Sequence, residues 1–129
     1  MHKGKASAYD MALSELCAPL GLAYFEQDWA ICAADPARVS EFISFYDSQR
    51  DLSPASKNML FDLILASISD GLESDSFADK QAQTLASFVN GNCKSHPAEV
   101  HFWTEQIGER WKIRRWLSHF CGDRKRGRS

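Results

Sequence analysis

Apolar residues recur at helical spacing along most of this 129-residue chain, and this periodicity constrains the fold more than any other feature. Val39, Phe42, Ile43 and Tyr46, for example, stand at positions i, i+3, i+4 and i+7, which is typical of an amphipathic helix. No segment of the sequence has the period-two alternation of a half-buried strand. The sequence therefore predicts an all-α fold, a single compact domain that is a bundle of five to seven helices.

Prolines and capping residues predict where several of these helices begin and end. The first helix is predicted over residues 7–18, with Pro19 as its end, because proline disrupts a helix interior. Asp35-Pro36 and Ser53-Pro54 each combine a capping side chain with a proline at the first helical position, which indicates a helix start. Residues 20–33 have no clear period and are compatible with either a short helix or a buried extended segment.

The helix that begins at Ser53 is predicted to be the central one, because it carries two apolar strips. Its end is predicted at Asp70-Gly71, with the glycine as a left-handed cap. For the C-terminal part there are two possibilities: Gly108 separates two helices, or one helix spans residues 97–120. The other boundaries are predicted at Ser74 or Asp75, at Asn90-Gly91-Asn92, and at Ser95 and Pro97.

The predicted domain covers residues 1–121, and residues 122–129 are a basic tail that is predicted to be disordered. The chain has neither the apolar segment of a signal peptide nor a run of about 18 apolar residues, so a cytoplasmic location is expected. Thiols stay reduced in that compartment, and scattered cysteines are expected to be small buried hydrophobes rather than disulfides. The four cysteines are Cys17, Cys32, Cys93 and Cys121.

The charges are segregated along the chain, although the formal net charge is only −2. Residues 24–79 carry a net charge of −8, and residues 80–129 carry +6. Fields of this kind steer charged partners toward a protein. The alternative is a solvated surface without such a role, because charges that are separated in sequence can mix in the folded chain.

The residues that would support catalysis or metal binding do not occur at the required spacings. The sequence contains no nucleophile elbow and no glycine-rich phosphate loop. The spacings among Cys93, His96 and His101 do not match a structural zinc site. We therefore expect a protein that is not an enzyme and that has no metal site.

A basic, aromatic stretch near the C-terminus favours nucleic acid as an alternative partner. Residues 111–116 read Trp-Lys-Ile-Arg-Arg-Trp, and residues 124–128 contain four further basic side chains. Proteins that bind single-stranded nucleic acid use this mixture for base stacking and phosphate contacts. However, Trp111 and Trp116 are five positions apart, which predicts that they flank different edges of a helix and that at least one lies in the core.

Residues 24–29 form an unusual hexapeptide, Tyr-Phe-Glu-Gln-Asp-Trp, in which large aromatic residues flank a polar triplet. The residue types predict a structural role. Tyr24, Phe25 and Trp29 are expected to be buried, and Gln27 or Asp28 is expected to hydrogen-bond to the backbone or to an indole.

This hexapeptide resembles the Tyr-Phe-x-Gln-Asp-Trp signature near the start of the immunity proteins of contact-dependent growth inhibition systems, with Glu26 at the variable position. In those proteins an acidic helix, a leucine-rich helix and a Trp-Leu pair follow the signature. The matching pieces here are Asp35–Tyr46, Asn58–Ile68 and Trp116-Leu117, so the resemblance extends over about residues 20–120.

The resemblance implies a bacterial cytoplasmic protein that binds and neutralises a cognate toxin domain, often a nuclease, without a cofactor. A carboxylate-rich helical face would then mimic phosphate in the basic cleft of the toxin. The predicted contact face comprises five acidic residues, Asp47, Asp51, Glu73, Asp75 and Asp79. The alternative for these residues is that they cap helices and face water. The alternative functions are a helical interaction or regulatory module and the nucleic-acid-binding protein described above.

Overall fold

The computed structural model describes residues 8–23 and 28–122, and in these ranges it is a bundle of seven α-helices without strands. The predicted all-α fold is therefore confirmed. None of the helices in the described residues is both long and apolar enough to cross a membrane. In chain order the helices are α1 (Ala8–Leu20), α2 (Trp29–Ala33), α3 (Val39–Ser48), α4 (Pro54–Glu73), α5 (Asp79–Asn92), α6 (Pro97–His101) and α7 (Lys112–Leu117).

Helix α4 is the centre of the bundle, as its two apolar strips predict. Phe61 and Leu65 are as fully buried as Leu60, Ile64 and their neighbours on the other strip. Helices α1, α2 and α3 pack against α4 from the N-terminal half of the chain, and α6 and α7 do so from the C-terminal half. A helix that is apolar on most of its circumference needs this many neighbours to be removed from water.

Both predicted helix starts are confirmed. The carboxylate of Asp35 accepts a hydrogen bond from the Ala37 N–H at 3.0 Å, and one 3₁₀ turn leads from there into α3. The hydroxyl of Ser53 accepts one from the Ser56 N–H at 3.2 Å at the start of α4. Residues 20–33 contain the short helix α2, and residues 24–27 lie outside the described residues.

The end of α1 lies two residues later than predicted, because Gly21 and not Pro19 ends the helix. Gly21 adopts φ +65°, and the next N–H, that of Leu22, donates to the Cys17 carbonyl at 2.9 Å. This left-handed cap satisfies the last carbonyls. A proline in the last turn is tolerated, because it removes only one hydrogen bond near a helix end.

The predicted end of α4 at Asp70-Gly71 is wrong, since the helix continues to Glu73. Gly71 is buried inside the helix, and the ring of Phe77 packs on it so closely that a Cβ atom would lie 2.1 Å from Cζ. The glycine therefore provides space for a ring rather than a left-handed backbone.

The boundaries predicted around α5 are also wrong. Ser74 and Asp75 do not cap this helix, which begins four residues after Asp75, at Asp79. Residues 90–92 belong to α5 and do not break it. Buried Leu85, Phe88 and Val89 hold this helix against the core, and such packing outweighs the low helix propensity of an Asn-Gly-Asn sequence.

The C-terminal helices are separated at Gly108, and the alternative of one helix over residues 97–120 is wrong. Pro97 opens α6 as predicted, with His96 rather than Ser95 at its cap. A wider π-type turn follows over Phe102–Gln106, and the chain leaves helical geometry before α7. Residues 123–129 of the predicted tail lie outside the described residues.

The cysteines follow the prediction only in part. Cys93 is buried, but Cys32 is exposed, and Cys17 and Cys121 lie between these extremes. Burial was expected because cysteine is a small hydrophobe, but the position of Cys32 on the outer side of the short helix α2 overrides that tendency.

Candidate functional site

The five acidic residues of the predicted contact face are all exposed, but they do not lie together. Asp47 and Asp51 lie where α3 connects to the first turn of α4, whereas Glu73, Asp75 and Asp79 lie beyond its last turn. A 20-residue helix is about 30 Å long. The length of α4 therefore divides the predicted face into two separate acidic groups.

At least one of these acids, Glu73, caps a helix. A carboxylate oxygen of Glu73 accepts a hydrogen bond from the backbone N–H of Lys112 at 2.7 Å, which caps the first turn of α7. Asp79 occupies the first turn of α5, where the helix dipole favours a negative charge. The capping alternative therefore describes Glu73 well, whereas the toxin contact stays a prediction.

A different set of acids is brought together between α1, α2, α4 and α6. Three carboxylates and four aromatic rings line a groove of about 340 Å³, which we call the acidic groove. The carboxylates belong to Asp28, Asp62 and Glu99, and the rings to Tyr9, Trp29, Phe102 and Trp103.

Asp62 is the most deeply placed of the three acids. Its carboxylate accepts a hydrogen bond from the Trp103 indole N–H at 2.6 Å. Burial raises the pKa of Asp62 above its usual range, the indole hydrogen bond opposes this shift, and the charge of Glu99 adds to it. The groove therefore holds a carboxylate that is less well solvated than a surface aspartate.

No cation of the chain neutralises this groove within the ranges 8–23 and 28–122. The salt bridge in those ranges joins Arg38 to Glu41 at 2.6 Å, and none involves Asp28, Asp62 or Glu99. Because Asp62 and Glu99 are only partly exposed, a cation from outside would interact with them more strongly than with fully exposed carboxylates.

The rim of the acidic groove is apolar and open to solvent. Ile31 is 56% exposed and Phe102 is 37% exposed, and they are two of the three large hydrophobic residues that are exposed among those described. Interfaces commonly combine an apolar rim or core with a few well-placed charges. The groove thus has the composition of a binding surface.

The end of the hexapeptide contributes to this groove. Trp29 is buried as predicted, and its indole N–H donates to the Ala23 carbonyl at 3.1 Å. Asp28 adopts φ +54°, does not cap α2 with its side chain, and lines the groove instead. Tyr24, Phe25, Glu26 and Gln27 lie outside the described residues.

A second cavity, of about 570 Å³, has the opposite charge. We call it the basic pocket. It lies between the end of α4 and α7 and is lined by Leu72, Glu109, Arg110, Trp111, Lys112, Arg115, Trp116 and His119. The prediction that Trp111 and Trp116 flank different edges of one helix is wrong, because Trp111 precedes α7 in an extended conformation. Both indoles therefore line the same cavity.

His96, one of the residues whose spacing does not match a structural zinc site, lies in a buried hydrogen-bond network. Its Nε2 lies 2.7 Å from the Tyr46 hydroxyl and its Nδ1 lies 2.6 Å from the Asn58 side-chain oxygen. Because the amide oxygen only accepts, Nδ1 carries the proton and Nε2 accepts from the tyrosine. Burial and the nearby Lys57 ammonium lower the pKa of His96 to about 4. Within the described part of the chain, no three His, Cys, Asp or Glu residues cluster as metal ligands would.

One feature of the sequence marks Asp62 as a candidate functional residue. Asp62 is a single charge within the apolar run Leu60-Phe61-Asp62-Leu63-Ile64. Charged residues are rarely buried without a specific partner, so such a position is a candidate functional residue. Glu99 gave no such signal, because its position beside Asp62 depends on how α6 packs on α4.

No protein-family model matches the chain, and neither a curated protein nor a solved structure matches it.

Proposed function

We propose that this protein binds and neutralises a bacterial toxin domain, and that the acidic groove receives a basic side chain of that toxin. The observation that carries the proposal is the groove itself. It combines three carboxylates without a cationic partner in the described residues with an apolar rim at Ile31 and Phe102.

The lining of the groove suits an arginine or lysine side chain. Aromatic rings attract a cation to their faces, and carboxylates attract it more strongly when they are partly shielded from water. Asp62 and Glu99 are close enough for the charge of Glu99 to raise the pKa of Asp62. A cation between them removes this repulsion, which is a gain that a neutral ligand does not provide.

The toxin is the proposed partner for two reasons. Asp28 and Trp29, the last two residues of the hexapeptide that resembles the immunity-protein signature, line the groove. Toxic nucleases bind polyanions and therefore carry basic clefts, which are complementary to an acidic groove. Binding of this kind needs neither a cofactor nor a catalytic group of the immunity protein.

The test compares two double variants that remove the same number of charges. Asp62→Asn with Glu99→Gln neutralises the groove, whereas Asp75→Asn with Asp79→Asn neutralises the acids beyond the last turn of α4. Each is co-expressed with toxic domains encoded beside its gene, and growth rescue is scored. Affinity is then measured by titration with an inactivated toxin.

We expect the groove variant to lose rescue and at least about tenfold in affinity, because a charge-assisted contact contributes roughly 1.5–3 kcal/mol. The control variant should keep both. If the control variant loses rescue and affinity while the groove variant keeps both, the toxin contact lies at the end of α4 instead. Full rescue by both variants would contradict an acidic contact, and binding without rescue would favour a regulatory interaction module. If the wild-type chain neither binds nor rescues, the toxin proposal is wrong.

A further inference from the structure

The basic pocket contains the two kinds of group that a nucleotide requires. We infer that it binds a nucleoside phosphate, either as a free nucleotide or as one unit of a single-stranded nucleic acid. In this arrangement the base lies against Trp116 and against the Arg110 guanidinium that stacks on Trp111, and Lys112 and Arg115 lie beside the phosphate. The inference concerns a different surface from the acidic groove and does not depend on the proposed toxin.

The aromatic part of the pocket offers flat surfaces of the right size. Trp111 and Trp116 are both half-buried, so each keeps one side in the core and leaves part of its ring open to the cavity. The guanidinium of Arg110 lies 4.5 Å from the ring centre of Trp111, which produces a cation–π stack. Bases stack on indole rings and also on guanidinium planes.

The charged part of the pocket is positive. Arg110, Lys112 and Arg115 are exposed, and none of them forms a salt bridge within the described residues. The Lys112 ammonium donates to the Leu72 carbonyl at 3.3 Å, which holds it at the edge of the cavity. Glu109 is the single carboxylate in the lining, so the cations outnumber it three to one.

The combination distinguishes a nucleotide from simpler anions. Cations alone bind any phosphate, and rings alone bind any apolar plane, but a nucleoside phosphate engages both at once.

The test uses the full chain and three probes: a fluorescently labelled 12-nucleotide oligo-dT, a mononucleotide (UMP) and inorganic pyrophosphate. Arg110→Gln with Arg115→Gln removes two cations from the pocket. Lys80→Gln with Lys94→Gln removes two exposed cations from α5 and the turn after it, and is the matched control. Trp116→Leu and Trp116→Phe test stacking, and circular dichroism checks that each variant is folded.

We expect the pocket variant to weaken oligonucleotide binding about tenfold, and the control less than twofold. Trp116→Leu should weaken binding, whereas Trp116→Phe retains a ring and most of the affinity. Binding of UMP would identify a free nucleotide as a sufficient ligand, and binding of the oligonucleotide alone would identify a strand. The inference is overturned if neither binds, if pyrophosphate displaces the oligonucleotide as well as unlabelled oligo-dT does, or if the pocket and control variants lose affinity equally.

Discussion

The acidic groove and the basic pocket are built from similar residue types but carry charges of opposite sign. Each places tryptophan rings beside three side chains of one charge sign. In the groove, Asp62 is placed in the middle of α4 and its pKa is raised by burial. In the pocket, Arg110, Lys112 and Arg115 remain exposed around the rim. A shielded charge responds to protonation and to its ligand, whereas exposed charges respond mainly to salt.

The largest expected effect is a loss of stability at low pH through His96, and it limits the pH range in which binding by the two regions can be compared. The pKa of His96 is about 4 in the folded chain and near 6.5 when unfolded, so between these values the unfolded chain binds a proton first. The contribution of neutral His96 to stability is therefore complete above about pH 6.5, and the free energy of unfolding falls by roughly 3 kcal/mol as the pH decreases to 4.

Urea titrations from pH 4.5 to 7.5 measure this loss, and His96→Gln is the comparison, because a glutamine at position 96 does not titrate. If the variant loses stability over the same interval by the same amount, His96 is not its source. If the loss is confirmed, binding by both regions should be compared above pH 6.5.

The next effect concerns salt. Three exposed cations around a single strand predict that oligonucleotide affinity falls about twentyfold when NaCl is raised from 50 to 200 mM, since the logarithmic slope is about −0.7 per phosphate contact. The toxin contact in the groove should fall only about twofold to threefold, because partly buried pairs are screened less. Anisotropy titrations at four salt concentrations measure both slopes, and equal slopes would remove the distinction between the regions.

The smallest effect concerns stability in the absence of ligands. Because the pKa of Asp62 is raised on folding, its carboxylate costs stability at pH 7, and this cost disappears as the pH falls through the pKa of the folded chain. Asp62→Asn keeps an oxygen that can accept from the Trp103 indole, and it should raise the free energy of unfolding at pH 7.

Arg115→Gln changes an exposed side chain and should shift stability by less than about 0.5 kcal/mol. Urea midpoints at pH 7 compare the two variants. A loss of stability in Asp62→Asn would mean that the carboxylate stabilises the fold. This result would argue against the proposal that the acidic groove binds a basic side chain.

The helix starts could be predicted from the sequence, because each depends on a few adjacent residues. Asp35 and Ser53 cap the helices that follow them with their own side chains. The end of α4 could not be predicted in the same way. The pair Asp70-Gly71 has the residue types of a helix end. However, the ring of Phe77, six residues after Gly71, occupies the space beside the glycine. This contact depends on tertiary packing.

The candidate sites were less predictable for the same reason. Residues 24–79 are acidic, but the length of α4 separates the five exposed carboxylates of the predicted contact face into two groups about 30 Å apart. The groove joins Asp28, Asp62 and Glu99 from three parts of the chain, and no spacing rule connects them. Trp111 and Trp116 were near in sequence, yet their shared cavity depends on where α7 begins.

The hydrogen bond from the Lys112 N–H to Glu73 holds the start of α7, beside the basic pocket, against the end of α4. Glu73 is eleven residues after Asp62 on the same helix, a distance of about 16 Å along the axis. Helix α4 therefore acts as a fixed spacer, with a shielded negative charge near its middle and a positive cavity anchored at its end.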